Sequence, residues 1–250
     1  MKKILLCLFI LISVKIYCQD VNVLLKQATN YERVLKEDSA LSKYNEVLAA
    51  NTDNMQAMIK VSLLTTSLGA RLTVKLQQKE KYETAKTFAD KALELDSTNA
   101  DANYAKALAY FKLSTVDPEN KKMVALLKES RLIIEKVLAD NPGHGRANFL
   151  LGKWNFDIVN TAWTKKAAVK VLYGGIPEAT IESAIIFMEK CRSTEPYFVQ
   201  NFLELGKAYR FNNNPAKALE VFNQLVKLPN RTADDAAWKA EGKKLLAEIQ

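Results

Sequence analysis

The feature that most constrains this chain is a spacing of small and large residues that recurs along almost its whole length. It is clearest between Val199 and Thr232, where Phe202, Leu205, Gly206 and Tyr209 are followed by Asn214-Pro215, then by Ala218, Phe222 and Leu225. Two antiparallel helices joined by a tight turn account for it. They approach closely only where Gly206 and Ala218 are small, and the large residues fill the space between successive pairs. Upstream, Ala40, Ala85, Ser130 and Ala184 occupy the place of Ala218. Twelve residues beyond each of the five comes a turn, at Thr52, Ser97, Pro142, Pro196 and Asn230. The first helices carry Ala28, Ser62, Ala107 and Gly152 at the place of Gly206.

Successive units lie 45, 45, 54 and 34 residues apart. The second and third therefore hold about eleven extra residues between their helices, and the fourth about twenty, relative to the shortest unit. Asp117-Pro118 and Asn214-Pro215 read as an N-cap followed by proline at the first helical position. Units are expected at 21–54, 55–99, 100–144, 145–198 and 199–232. Residues 233–249, with Trp238, Leu245, Leu246 and Ile249, form a further amphipathic helix that caps the exposed face of the last unit. The expected fold is all-α: a helical-hairpin array, or α-solenoid, of about five repeats with insertions plus a C-terminal capping helix, forming one domain over 19–250. Eight glycines and six prolines in 250 residues agree, being too few for a turn-rich all-β chain.

Residues 1–18, MKKILLCLFILISVKIYC, have the form of a secretory signal peptide: Lys2 and Lys3, then an apolar run from Ile4 to Val14. That run is too short to span a bilayer core, which needs roughly 20 residues. Cleavage after Cys18 would leave 33 cationic side chains against 28 acidic ones, a net charge of +5. A lipidated Cys18 is the alternative. Either way an exported, periplasmic location is expected, with membrane anchoring in the lipoprotein case. The positive charge is dispersed, without the block of like charges that marks a nucleic-acid arm. Three cysteines, two of them in the first eighteen residues, cannot build a disulfide framework.

The unit from Val199 to Thr232 resembles the tetratricopeptide repeat, with its Leu-Gly pair, its aromatic three residues on, its alanine in the second helix and its terminal proline. A more specific resemblance lies further back. The runs GRANFLLGKWNFDI (145–158), AWTKKAAVKVLYGGIPEAT (162–180) and LGKAYR (205–210) are similar to the regulator of microtubule dynamics family, over residues 140–250. That resemblance implies a tetratricopeptide-like domain with a long insertion after a Trp-bearing helix. It also implies no catalytic residues, a microtubule association in eukaryotic members, and in one of them a helical-repeat domain that binds phospholipid. Fold and groove geometry transfer between relatives more readily than cellular role.

Repeat geometry places positions 2, 5, 9 and 12 of each first helix on the concave face. The groove is then expected to combine an apolar stretch of Tyr104, Leu108, Phe111, Phe149, Phe156 and Leu203 with a basic cluster of Arg146, Lys153, Lys207 and Arg210. Apolar walls with a few convergent charges suit an acyl chain with an anionic head, or an extended peptide ending in a carboxylate. The opposing reading is that inserted helices fill the groove and bury those aromatics as core. Exposed aromatics along an aqueous groove would favour a protein or peptide partner. A closed cavity continuous with basic residues would favour a lipid or another anionic amphiphile.

The remaining chemistry-bearing residues point away from catalysis. A single histidine, His144, excludes histidine-built metal sites and triads, and the repeat register places no carboxylate beside it. Cys191 falls where a small residue faces the partner helix. Trp154 reads as packing. Gly174-Gly175 lacks the Lys-Ser/Thr that completes a phosphate loop, and no cofactor or metal is expected. Lys166 and Lys170 share one face of an expected helix over 163–173, which offers a peripheral membrane contact or a solvated ledge. Non-enzymatic binding is the function these residues favour.

Overall fold

The computed structural model describes residues 21–161 and 178–249, and every regular element among them is a helix. The helices pair in chain order. The first hairpin joins α1 (21–33) to α2 (Glu37–Ala50), and the second joins α3 (Met55–Ala70) to α4 (Lys75–Leu95). The third joins α5 (Ala100–Val116) to α6 (Asn120–Asp140), and the fourth α7 (Gly145–Asn160) to α8 (Ile181–Thr194). The fifth joins α9 (Val199–Phe211) to α10 (Pro215–Leu225), and α11 (Asp235–Ala247) packs on both of them. The signal segment 1–18 with Cys18, together with Trp163, Lys166, Lys170 and Gly174-Gly175, lies outside the described residues.

Each hairpin is drawn together at its pair of small residues, all of them buried. In the first hairpin Ala28 meets Ala40 within one apolar cluster. The second and third solve the same problem with a serine on opposite sides. Ser62 of α3 donates to the Ala85 carbonyl of α4 (2.7 Å), whereas Ser130 of α6 donates to the Ala107 carbonyl of α5 (2.8 Å). Gly152 lets α7 come so near α8 that an added Cβ would lie 3.0 Å from the Ala184 carbonyl oxygen and 2.7 Å from Met188 Cγ. At Gly206 a Cβ would stand 2.3 Å from the Phe222 ring.

The extra residues of the second and third units, expected between their helices, go into helix length. Helices α4 and α6 each run 21 residues against 11 for α10. The start of α6 also differs from expectation. Asp117 closes α5, and its carboxylate accepts Glu119 N–H and the Lys79 ammonium (2.9 Å), so the helix begins at Asn120. Lys79 thereby holds the Asp117 carboxyl below its ordinary range. Asn214 and Pro215 do start α10 as their sequence implies, with the Asn214 side chain accepting from Lys217 N–H.

The array curves until its ends meet. Arg71, just past α3, donates from Nε and Nη2 to the two carboxylate oxygens of Asp234 (2.7 and 2.9 Å). Its Nη2 also reaches Glu37 Oε2 at the start of α2 (2.6 Å), and Glu37 Oε1 accepts Ala233 N–H (3.2 Å). The first hairpin and the region leading into α11 are thus joined across 196 positions of sequence.

Two hairpin turns use a left-handed residue five positions before the small residue of the second helix: Leu35 (φ 60°) before Ala40 and Asn213 (φ 53°) before Ala218. Asparagine tolerates this conformation better than residues without a polar side chain able to bond locally. Asn213→Ala is expected to lower stability by about 1 kcal/mol, and Asn213→Gly to hold or raise it. Urea unfolding of the two variants checks both.

Candidate functional site

The concave faces of α3, α5 and α7 bound a central pocket of about 370 Å³. Leu63 and Leu64 come from α3, Tyr104, Leu108, Phe111 and Lys112 from α5, and Arg146, Phe149, Leu150 and Lys153 from α7. The far wall is the segment through Arg231, Thr232, Asp234 and Trp238, and Glu32 and Glu37 of the first hairpin complete it. Six of the ten residues assigned to the groove from sequence therefore line one space: Tyr104, Leu108, Phe111, Arg146, Phe149 and Lys153.

The other four do not. Phe156 and Leu203 belong to the C-terminal core with Phe202, Val221 and Phe222. Lys207 is bound to Glu204 (3.2 Å) and to Glu241 of α11 (2.8 Å), and Arg210 to Glu248 (3.0 Å). The capping helix explains the difference, because α11 takes up the charges that α9 would otherwise turn toward the groove. The aromatics that do line the pocket are themselves largely covered, with Tyr104, Phe111 and Phe149 only 4–7% exposed. Phe149 packs edge-on against Phe198, with ring centroids 4.7 Å apart.

Most cations on this face already hold a partner. Lys60 pairs with Glu32 (2.8 Å), and Lys153 pairs with Asp157 on its own helix and with Glu204 (3.4 Å). Burial pulls the Lys153 ammonium down, but Glu204 and Asp157 outweigh it and raise its pKa. The Arg146 guanidinium lies 3.5 Å from the Phe198 ring centroid and 3.9 Å from Glu195, and Arg231 stacks on Tyr197 at 4.1 Å. These two arginines, with Phe198 and Thr232, also border a side recess of about 300 Å³ that adjoins the pocket.

Lys112 is the exception. Its ammonium has no hydrogen bond or ion pair among the described residues, and its pKa is lowered, by burial first and by the Lys153 charge second. Sequence reasoning stopped one residue short of it, at Phe111. The usable signal was the length of the unit, since α5 runs 17 residues and still carries its thirteenth into the pocket. Trp238 and Arg231 were missed because the register was applied to the repeats and not to the chain beyond them.

His144 has a role that the register did not give it. Its Nδ1 accepts Ala147 N–H (3.1 Å) and so caps α7, as Asn54 and Asn99 cap α3 and α5. The proton must then reside on Nε2, which faces Asp101 Oδ1 at 3.2 Å, contrary to the expectation that no carboxylate is near. That hydrogen bond is the main cause of a lowered Asp101 pKa. Cys191 is fully buried as expected, its thiol pushed up to about 12 by burial. Trp154 is core, with its indole N–H donating to the Leu127 carbonyl (3.0 Å). Among the described residues no group of three His, Cys, Asp or Glu side chains could hold a metal ion.

A curved array of hairpins around a concave pocket defines a protein of the tetratricopeptide-repeat class. A thermophilic TPR protein of Thermus thermophilus is similar at a TM-score of 0.63 and 12% identity, over 90% of this chain and 99% of that one. PilF of Pseudomonas aeruginosa is similar at 0.53 and 12%, over 93% and 90%. The sequence model for "Regulator of microtubule dynamics protein 1-3" matches residues 24–250, and the chain belongs to that family. The match begins well upstream of residue 140, where the sequence resemblance faded. Regulator of microtubule dynamics protein 3 of Xenopus laevis is 29% identical over 163 residues, 64% of this chain and 35% of the relative. Protein 1 of Caenorhabditis elegans is 26% identical over 114 residues, 46% of this chain and 50% of the relative. The chain thus matches half or less of the length of these relatives.

Phe156→Ala is expected to cost about 3–5 kcal/mol of stability and to leave the pocket lining intact, as urea unfolding and a crystal structure would show. His144→Ala should lose about 1 kcal/mol through the missing cap, whereas His144→Asn should hold. Thermal unfolding of the two His144 variants checks that comparison.

Proposed function

We propose that this chain is a non-enzymatic binding protein whose central pocket takes an anionic amphiphile. The apolar body of the ligand lies against Leu63, Leu64, Leu108 and Phe111, and its carboxylate or phosphate head meets Lys112. The observation that carries this reading is the Lys112 ammonium, which has no hydrogen bond or ion pair among the described residues and stands beside the apolar wall of Leu63, Leu64, Leu108 and Phe111. A buried charge is costly unless it is paired, and every other lysine lining the pocket has a carboxylate of the protein beside it. A volume of about 370 Å³ also falls within the range of small-molecule sites, about 300–1,000 Å³.

A protein or peptide partner is the second reading. It is favoured by the side recess, where Arg146 and Arg231 would meet the terminal carboxylate of an extended peptide continuing into the pocket. Microtubule binding transfers only from the names of the relatives. No described arrangement of residues supports it, since the surface cations are interspersed with carboxylates. The export segment read in residues 1–18 makes the periplasm the expected compartment, and the intact mass of protein recovered from an exporting host tests that.

Lys112→Met separates the binding reading from a structural role for the lysine. Removing an unpaired, partly buried cation is expected to raise stability by about 1 kcal/mol. The same change should abolish co-purification of an acidic amphiphile in native mass spectrometry. A wild-type chain that emerges without such an adduct, and binds none when offered a fatty acid, would move the peptide reading ahead.

A further inference from the structure

The contacts that join the two ends of the array also build one wall of the pocket. Glu37, Ala70 and Asp234 line it, with Trp238 one turn beyond Asp234. The packing of α11 is with α9 and α10, and among the described residues no apolar cluster spans from the first hairpin to the cap. Closure therefore depends on the two hydrogen bonds from the Arg71 guanidinium to Asp234 and on the one from Ala233 N–H to Glu37, which Arg71 also holds.

We propose that Arg71 is a clasp that holds the array closed around the pocket, and that its opening sets how fast a ligand enters and leaves. Its parts suit that work. Arg71 and Asp234 are 32% and 24% exposed, so water reaches the pair and can replace it. A partly exposed ion pair such as Arg71–Asp234 contributes little to global stability, which lets the clasp open without unfolding the hairpins. The Asp234 side chain caps no helix, so losing its partner leaves α11 intact. A ligand touching both α5 and Trp238 binds the closed form better than the open one and is retained by it. Added salt should weaken the clasp by screening its charges.

The inference rests on the pocket being a ligand site, so one readout must not depend on a ligand. Acrylamide quenching of Trp238 supplies it, measured in a Trp163→Phe background because Trp154 is buried. The ligand probe is dansyl-undecanoic acid, with its release followed by stopped flow. Arg71→Ala, and separately the shape-preserving Asp234→Asn, should raise the quenching slope about twofold and speed probe release about tenfold, with unchanged helix content. Release within error of the wild type in both variants would overturn the clasp, whether or not quenching rises. If the wild type does not bind the probe, the amphiphile reading fails. The clasp is then judged by quenching alone, and an unchanged slope sinks it.

Discussion

The structure depends on one constraint, the close approach of the two helices in every hairpin. Ala28 and Ala40 are fully buried in one cluster, Ser62 bonds the Ala85 backbone and Ser130 the Ala107 backbone, Gly152 abuts the Ala184 carbonyl, and Gly206 leaves room for the Phe222 ring. Where a serine enters, its hydroxyl is satisfied by the carbonyl opposite, so the polar group does not cost the approach. Helices held this near must shed their bulk sideways. Tyr44, Trp154 and Phe222 accordingly fill the spaces within and between neighbouring hairpins. Repetition of that step gives the array its curvature, and the curvature gives it an inside.

The repeat was legible because small residues at a fixed spacing are a steric requirement written directly in the chain. The candidate pocket was legible in part. Positions counted along the first helices found Tyr104, Leu108, Phe111, Arg146, Phe149 and Lys153, which do share a pocket. What failed was whatever depends on a partner far away in sequence. Lys207 and Arg210 have the right periodicity for the groove, but α11 supplies carboxylates that no local pattern announces. Asp101 and His144 are 43 residues apart and meet because the starts of α5 and α7 lie side by side. The eleven extra residues of two units could have formed loops or longer helices, and spacing alone does not separate the two outcomes.

Charge along the concave side follows an alternating order that helps explain the shape of the pocket. Glu204 accepts from Lys153 and Lys207, and Lys207 passes on to Glu241, which ties α7, α9 and α11 together. Glu204 is nearly buried, and a carboxylate so placed is tolerated because two ammonium groups face it. Lys112 breaks this order. It stands near Lys153, shares its sign and has no ion pair among the described residues, although Asp157, Glu204 and Asp234 act on it from a distance.

The same curvature links sites that do not touch. The pocket lies between α3, α5 and α7 on one side and the segment leading into α11 on the other, so its width is set by the sum of the small steps between hairpins. A change in any hairpin spacing, even one remote from the pocket, shifts the distance that Arg71 must bridge to Asp234. A guanidinium bound at both nitrogens to one carboxylate tolerates little such shift, because its geometry is planar and fixed. Packing in the hairpins and closure of the ring are therefore coupled through geometry alone. The small residues that begin as a folding requirement end as determinants of whether the pocket is closed.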